Sequence, residues 1–425
     1  MQIRVGEREN WRNRRVMRFF LFLFAFCAAM PVCAQQSLQA WLDAAAPGAV
    51  LRLPPGKYRG PAVISKPITL EGEGRVVIDG GGQGTVLTVK ASDVTLRGLH
   101  LQGSGGSHDA LDAGAMLTGE RIVFENNQVD GVLFGVLLHG VNDSLVRNNR
   151  IRSLPGDAAD RGDGMRVWNS TGNRIIGNDI AQIRDITVSN APRNRFINNS
   201  VRDSRRAFNL LFAHRSLIEN NRLEHNSTGI VTLNSDGIII RNNRIMHAMD
   251  PSGAGVALKE TAAALVIGND IIHCAHGIMA DSPMHPINRI SFLNNRIAHN
   301  VTGLYFYGER GGHVAIGNQF ENNLWPVTII ANGDPELDIW WGNYWDDYQG
   351  FDRNHDGIGD TPHEIYSYAD RIWLATPQAK FFRNAPVLEL LDFLEKLAPF
   401  AAPDLLLRDR APLMRRTQPA VRAGD

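Results

Sequence analysis

An asparagine returns every 21 to 29 residues from Asn127 to Asn343, each time at the same point of one short phrase. The series is Asn127, Asn149, Asn178, Asn199, Asn221, Asn243, Asn269, Asn295, Asn318 and Asn343, in phrases such as RNNRI, ENNRL, IGNDI and WGNYW. An apolar strand opening on glycine, such as GVLLHG, GIVTLN, GVALKE or GLYFYG, usually follows. A repeat of this length defines a solenoid. Its alternating residues specify strands, and the links are too short for crossover helices. Each repeat is therefore expected to be one coil of an all-β, right-handed parallel β-helix. Adjacent strands lie about 4.8 Å apart, which lets an inward asparagine at each bend bond its own copy on the next coil. The expectation is a buried asparagine ladder.

Residues 1–34 read as a removable secretory leader. Arg12, Arg14, Arg15 and Arg18 precede the run FFLFLFAFCAAM, and Val32-Cys33-Ala34 fits a small-x-small cleavage site. Twelve apolar residues are too few to span a bilayer. Cys27 and Cys33 leave with the leader, so the exported chain keeps Cys274 alone and no intramolecular disulfide forms. Lys and Arg total 44 and Asp and Glu total 44, a balance that gives no electrostatic reason for a nucleic-acid partner.

The β-helix is expected over 35–348. SLQAWLDAAA, from Ser37 to Ala46, has a helix pattern with a serine cap, placed to cover the open end of the solenoid. Two loops are longer than the others, one near residue 110 and SLPGDAADRGDGM near 160. Long loops on a rigid scaffold are where function tends to sit. The second holds Asp157, Asp160, Asp163, Arg161 and Arg166, which suit a sugar acid or a cation, or simply a solvated loop.

Four residues after the asparagine of four consecutive coils stand His225, His247, His273 and His299. In register, these imidazoles stack at about the 4.8 Å strand spacing. Around them in sequence lie Met246, Met249, Cys274, His276, Met279, Met284 and His285. Thioether and thiolate donors mixed with imidazole suit Cu(I) better than zinc or calcium, and the spacing matches no closed zinc motif. The bland reading is a second stacked turn column with methionine as interior filler. The two are compatible.

After Leu324 comes DIWWGNYWDDYQGFDRNHDGIGDTPHEI. Trp340, Trp341, Tyr344, Trp345 and Tyr348 offer an aromatic closure of the last coil. Asp352, Asn354, Asp356 and Asp360 have calcium-loop spacing with Gly357 at the turn, although His363 stands where a bidentate glutamate belongs. The alternative is a carboxylate-capped turn. Residues 349–384 are thus expected to be a signature and cap, and 385–425 an amphipathic helix with an extended tail. APVLELLDFLEKLAPF places Val387, Leu390, Leu391, Leu394 and Leu397 on one helical face. Leu405, Leu406, Leu407 and Met414 carry the apolar character further, toward either a cap or a partner.

The stretch NYWDDYQGFDRNHDGIGDTPHEI resembles the signature of the NosD family, which serves maturation of nitrous oxide reductase. With the leader, LPPGKY, GDGMRV and the repeats, the resemblance covers nearly the whole chain. It implies a periplasmic β-helix without a catalytic residue. Such a protein acts with the ATPase and membrane permease of an ABC transporter to supply or assemble the copper-sulfur centre of nitrous oxide reductase. The resemblance also implies a lipoprotein chaperone as the source of copper.

Against this accessory, non-enzymatic reading stands a polysaccharide lyase or epimerase, with Asp160, Arg161, Asp163 and Arg166 neutralising a uronate and withdrawing its C5 proton. The DPHD phrase of alginate epimerases is absent, Asp250-Pro251-Ser252-Gly253 being its nearest counterpart. A passive carbohydrate-binding scaffold is the third reading.

Overall fold

The computed structural model describes residues 36–157, 160–281, 289–307, 311–329, 337–367 and 404–416, with Leu390 and Leu394. The leader and nearly all of the amphipathic helix lie outside these residues; Leu390 and Leu394 are helical and exposed.

Each coil contributes three short strands. Arg195–Ile197 lies on wall 1, Ser200–Arg202 on wall 2 and Arg206–Leu211 on wall 3. The next coil repeats them as Leu217–Glu219, Arg222–Glu224 and Thr228–Leu233. The pairing is parallel, with Arg195 beside Leu217, Ser200 beside Arg222 and Arg206 beside Thr228. Walls 1 and 2 form one sheet of 25 described strands and wall 3 another of 12. This is a parallel β-helix.

Alternation sends every second side chain inward, where like stacks on like. Wall 1 contributes Ile175, Phe196, Ile218, Ile240, Val266 and Phe292 on successive coils, and wall 2 contributes Ile180, Val201, Leu223, Ile245, Ile271 and Ile297. All are buried in one continuous core. The glycine opening the wall 3 strands is fixed by close approach: a Cβ on Gly229 would lie 2.3 Å from the carbonyl oxygen of Gly255, and one on Gly303 2.5 Å from that of Pro326.

The ladder forms as expected. All ten asparagines are 2% exposed or less. Asn199 is typical: its N and Nδ2 donate to Asn221 Oδ1 at 2.8 and 3.0 Å, and Nδ2 also reaches Ile175 O at 3.0 Å. Every ladder asparagine follows a residue in the left-handed region. That residue is asparagine at 126, 148, 198, 220, 242 and 294, and glycine at 177, 268, 317 and 342. These are the types that reach positive φ at least cost, which is why the phrase reads NN or GN.

Both ends are covered. The helix Leu38–Ala44 buries Leu38 and Leu42 in the core, but the Ser37 side chain makes no capping bond, contrary to expectation. Gln39 instead brackets the backbone of Val63, accepting from its N at 2.8 Å. At the other end Trp340 and Trp345 close the interior, Trp345 stacking on Phe320 at 4.3 Å, whereas Trp341 faces outward and Tyr344 and Tyr348 are half-buried.

The tail corrects one expectation. Asp404–Asp409 pairs antiparallel with His363–Ser367, Leu407 enters the core and Leu405, Leu406 and Met414 are half-buried. Residues 404–416 return to the solenoid and are not an extended tail. The physical reason is the last coil: Asn343 has no further asparagine above it, and Asp409 supplies the acceptor.

Candidate functional site

The turn from wall 2 to wall 3 places one residue of each coil in the left-handed region. Along the axis this column runs Gln182, Asp203, His225, His247, His273, His299 and Asn322, with φ between 48° and 60°. Asn, Asp and His are the non-glycine residues enriched there. Backbone bonds hold the register: His225 N donates to Met246 O at 3.1 Å and His247 N to Ile272 O at 3.2 Å.

The four imidazoles stack continuously. Ring centroids are 4.7, 5.4 and 5.1 Å apart, with interplanar angles of 15°, 3° and 19°. His247 is half-buried and the other three are exposed, so the column faces outward. Partial burial, and then the neighbouring His299 and His247, lower the pKa of His273. Neutral imidazole is the form that binds metal.

The remaining sequence candidates divide among three places. Met246 and Met249 stay near the histidine corner; Met246 is half-buried with its sulfur accepting from Arg244 Nε at 2.9 Å, and Met249 is 54% exposed. Cys274 follows His273 and points the other way. It is fully buried, its backbone N donates to Asn300 Oδ1 at 2.8 Å, and burial pushes its thiol up to about 12. A thiol so placed is not a thiolate ligand. His276 and Met279 belong to the wall 3 strand His276–Ala280, where His276 stacks on Tyr305 at 5.0 Å. Met284 and His285 lie outside the described residues.

Among the described residues no three His, Cys, Asp or Glu side chains converge on a point where a metal ion is held. A metal–imidazole bond is about 2 Å, so an ion between two rings separates their nitrogens by about 4 Å. The stacked rings have centroids 4.7 to 5.4 Å apart and their nitrogen lone pairs lie in the ring planes, not between the faces, so the stack as it stands forms no closed site.

The Asp352 loop is knit by its own backbone. Asp352 accepts from Asp356 N and Gly357 N at 3.2 and 3.0 Å, Asp356 from Ile358 N at 2.8 Å, and Asp360 from Arg353 N at 2.8 Å. Asn354 donates to Asp356 at 2.8 Å. This is the carboxylate-capped turn, and these contacts give calcium no support.

In the other long loop Asp157 and Asp160 are exposed, while Asp163 is buried against Arg166 at 2.9 Å, whose guanidinium lies 5.1 Å over the Phe134 ring. Burial raises the pKa of Asp163 and Arg166 opposes it. Asp185, on the next coil, is held by Arg205. The loop's carboxylates are thus not brought together as one site. Sequence reasoning also missed Tyr305 and Asp409, which only coil register reveals.

The fold defines a parallel β-helix protein, and similar solved structures are of this class. The A-module of the Azotobacter vinelandii mannuronan C-5 epimerase AlgE6 has TM-score 0.53 at 15% identity, with 71% of this chain and 93% of that one covered. A Yersinia enterocolitica family 28 exopolygalacturonase has TM-score 0.53 at 12% identity, covering 72% and 76%. At such identities the likeness concerns fold alone. The model of the family described as periplasmic copper-binding protein (NosD) matches residues 152–350. A Stutzerimonas stutzeri protein described as a probable ABC transporter binding protein NosD is 28% identical over 398 residues, covering 86% of each chain. A Pseudomonas aeruginosa protein of the same description is 28% identical over 385 residues, covering 85% of this chain and 87% of its own. Over most of its length the chain is thus similar to proteins described as NosD.

Proposed function

We propose that this protein is a periplasmic accessory factor that handles copper during assembly of the copper-sulfur centre of nitrous oxide reductase. It works with the ATPase and permease of an ABC transporter and receives copper from a lipoprotein chaperone. The observation that carries the reading is the outward stack of four imidazoles on consecutive coils. Copper here is cargo. Exposed, weakly held ligands in a line let an ion exchange between neighbours and leave, which a closed site of three or four ligands does not. Met246 and Met249 add soft donors at the same corner. The family's description as copper-binding, and the relatives' description as transporter binding proteins, support the reading.

The test is a Cu(I) competition titration of the chain from residue 35 against a colorimetric chelator. The variant His247→Asn, His273→Asn and His299→Asn is titrated alongside. Asparagine suits the left-handed turn, so the fold is expected to survive while Cu(I) affinity falls at least about tenfold. Unchanged affinity in a folded variant overturns the site.

A further inference from the structure

The corner where wall 3 turns back to wall 1 carries an arrangement that neither the ladder nor the copper reading uses. Many wall arginines are matched to carboxylates, among them Arg52 and Arg97 to Glu71, Arg147 to Glu125, Arg152 and Arg202 to Asp179, Arg241 to Glu219, and Arg296 to Asp270 and Glu321. At this corner Arg121 is matched to Asp93 and Glu120, whereas the arginines of two later coils are not. Arg193 and Arg215 occupy equivalent left-handed positions on successive coils, with φ 57° and 55° and their N–H groups bonded to His214 O and Asp236 O. Two residues further on, Arg174 and Arg195 are register partners on wall 1. All four are exposed, and none forms an ion pair with a described residue.

Arg193 and Arg215 line an open groove of about 570 Å³ together with Pro192, His214 and Gly237. His214 Nδ1 accepts from Asp236 N at 3.0 Å, which makes its Nε2 the protonated nitrogen when the ring is neutral. The lining carboxylate, Asp236, takes the N–H of Ala262 at 2.8 Å.

A second observation points the same way. Phe212, three residues before Arg215, is 45% exposed and sits at φ 52°. Neighbouring coils place Asn169, Asn190 and Asn234 at that turn position, with φ 47° to 48°. A bulky residue held left-handed is an outlier whose backbone is strained. Like charges facing each other on adjacent strands are also unfavourable. This corner therefore carries both an exposed aromatic in a strained conformation and uncompensated cations.

We infer that this corner is a docking surface for an acidic segment of a protein partner. Its carboxylates pair with Arg193 and Arg215, and an apolar side chain rests on Phe212. Arginine and aromatic residues are the side chains on which protein interfaces concentrate their energy, and the guanidinium fork matches a carboxylate in a bidentate manner. The inference is independent of copper handling.

The test is fluorescence anisotropy of a labelled Glu-Glu-Phe repeat peptide with the chain from residue 35, beside a Lys-Lys-Phe peptide and an oligomannuronate. The acidic peptide is expected to bind and to weaken as salt rises, since charge pairing at a surface is screened. Arg193→Gln with Arg215→Gln is expected to lose about tenfold or more in affinity. Phe212→Asn is expected to lose severalfold while melting at a higher temperature, because the strain is relieved. A purely structural role for Phe212 predicts no change in binding. Wild-type affinity in the folded double-arginine variant, no peptide binding at low salt, or oligomannuronate binding with the same dependence on both variants would each overturn the inference. Cu(I) titration of the same variants is expected to be unchanged, so this test and the copper test fail separately.

Discussion

Asp409 completes the asparagine ladder from 66 residues beyond its last rung: one carboxylate oxygen accepts Asn343 N at 3.0 Å and Asn343 Nδ2 at 2.8 Å. The same oxygen takes Trp345 Nε1 at 3.1 Å, and the other takes Ala411 N at 3.1 Å. Asn343 meets Asp409 as Asn318 meets Asn343, but no coil follows. An acceptor-only side chain suits that last position, whereas an amide would bring donors with no rung above to receive them.

Asp409→Ala leaves four buried donors short of an acceptor and is expected to cost about 3 kcal/mol or more, read as a shift of the urea midpoint at unchanged slope. Asp409→Asn keeps one acceptor oxygen and should cost about 1 kcal/mol. Equal losses for the two variants would mean that Asp409 acts through its charge and not as a rung.

An interior rung is bonded on both sides. Asn243 donates to Asn269 Oδ1 at 2.9 and 3.0 Å and to Ile218 O at 2.9 Å, and it accepts both donors of Asn221 at 2.9 Å. Asn243→Ala should therefore destabilise by about 3 kcal/mol or more, and faster hydrogen exchange is expected at Asn221 and Arg244.

Acid is expected to weaken the fold through His313. This ring is 2% exposed, accepts Ile290 N on Nδ1 at 2.8 Å and lies parallel to Phe306 at 5.7 Å. Burial lowers its pKa to about 4 from the ordinary 6.5. A lowered base favours the fold while neutral, so its contribution is whole above pH 6.5 and is lost as pH falls toward 4. The loss is on the order of 3 kcal/mol, at 1.36 kcal/mol per pH unit between the two values. Unfolding free energy measured between pH 4 and 7 should show this slope in the wild type and a flatter one in His313→Gln.

Cys274 is expected to play no part in copper binding. Cys274→Ala should leave Cu(I) affinity within about twofold of the wild type, and the native thiol should react with a disulfide reagent only after unfolding. A thiol that reacts in the native state and loses reactivity on Cu(I) addition would return Cys274 to the site.

How much was legible divides along a physical line. The asparagine period, its glycine or asparagine forerunner and the alternating strands are local demands of a turn and a pleat, repeated ten times, so the sequence alone determined the β-helix and its ladder. It also set the four histidines in register, because each stands at a fixed count from a ladder asparagine. Facing was beyond it. His273 and Cys274 are neighbours in sequence, yet a left-handed residue turns one side chain to solvent while its successor enters the core. Composition cannot say which does which. Closure was beyond it as well: Asp409 reaches Asn343 across 66 residues, and Arg193 meets Arg215 only because coils stack. Such contacts join positions that no local pattern relates, and the tertiary structure alone decided them.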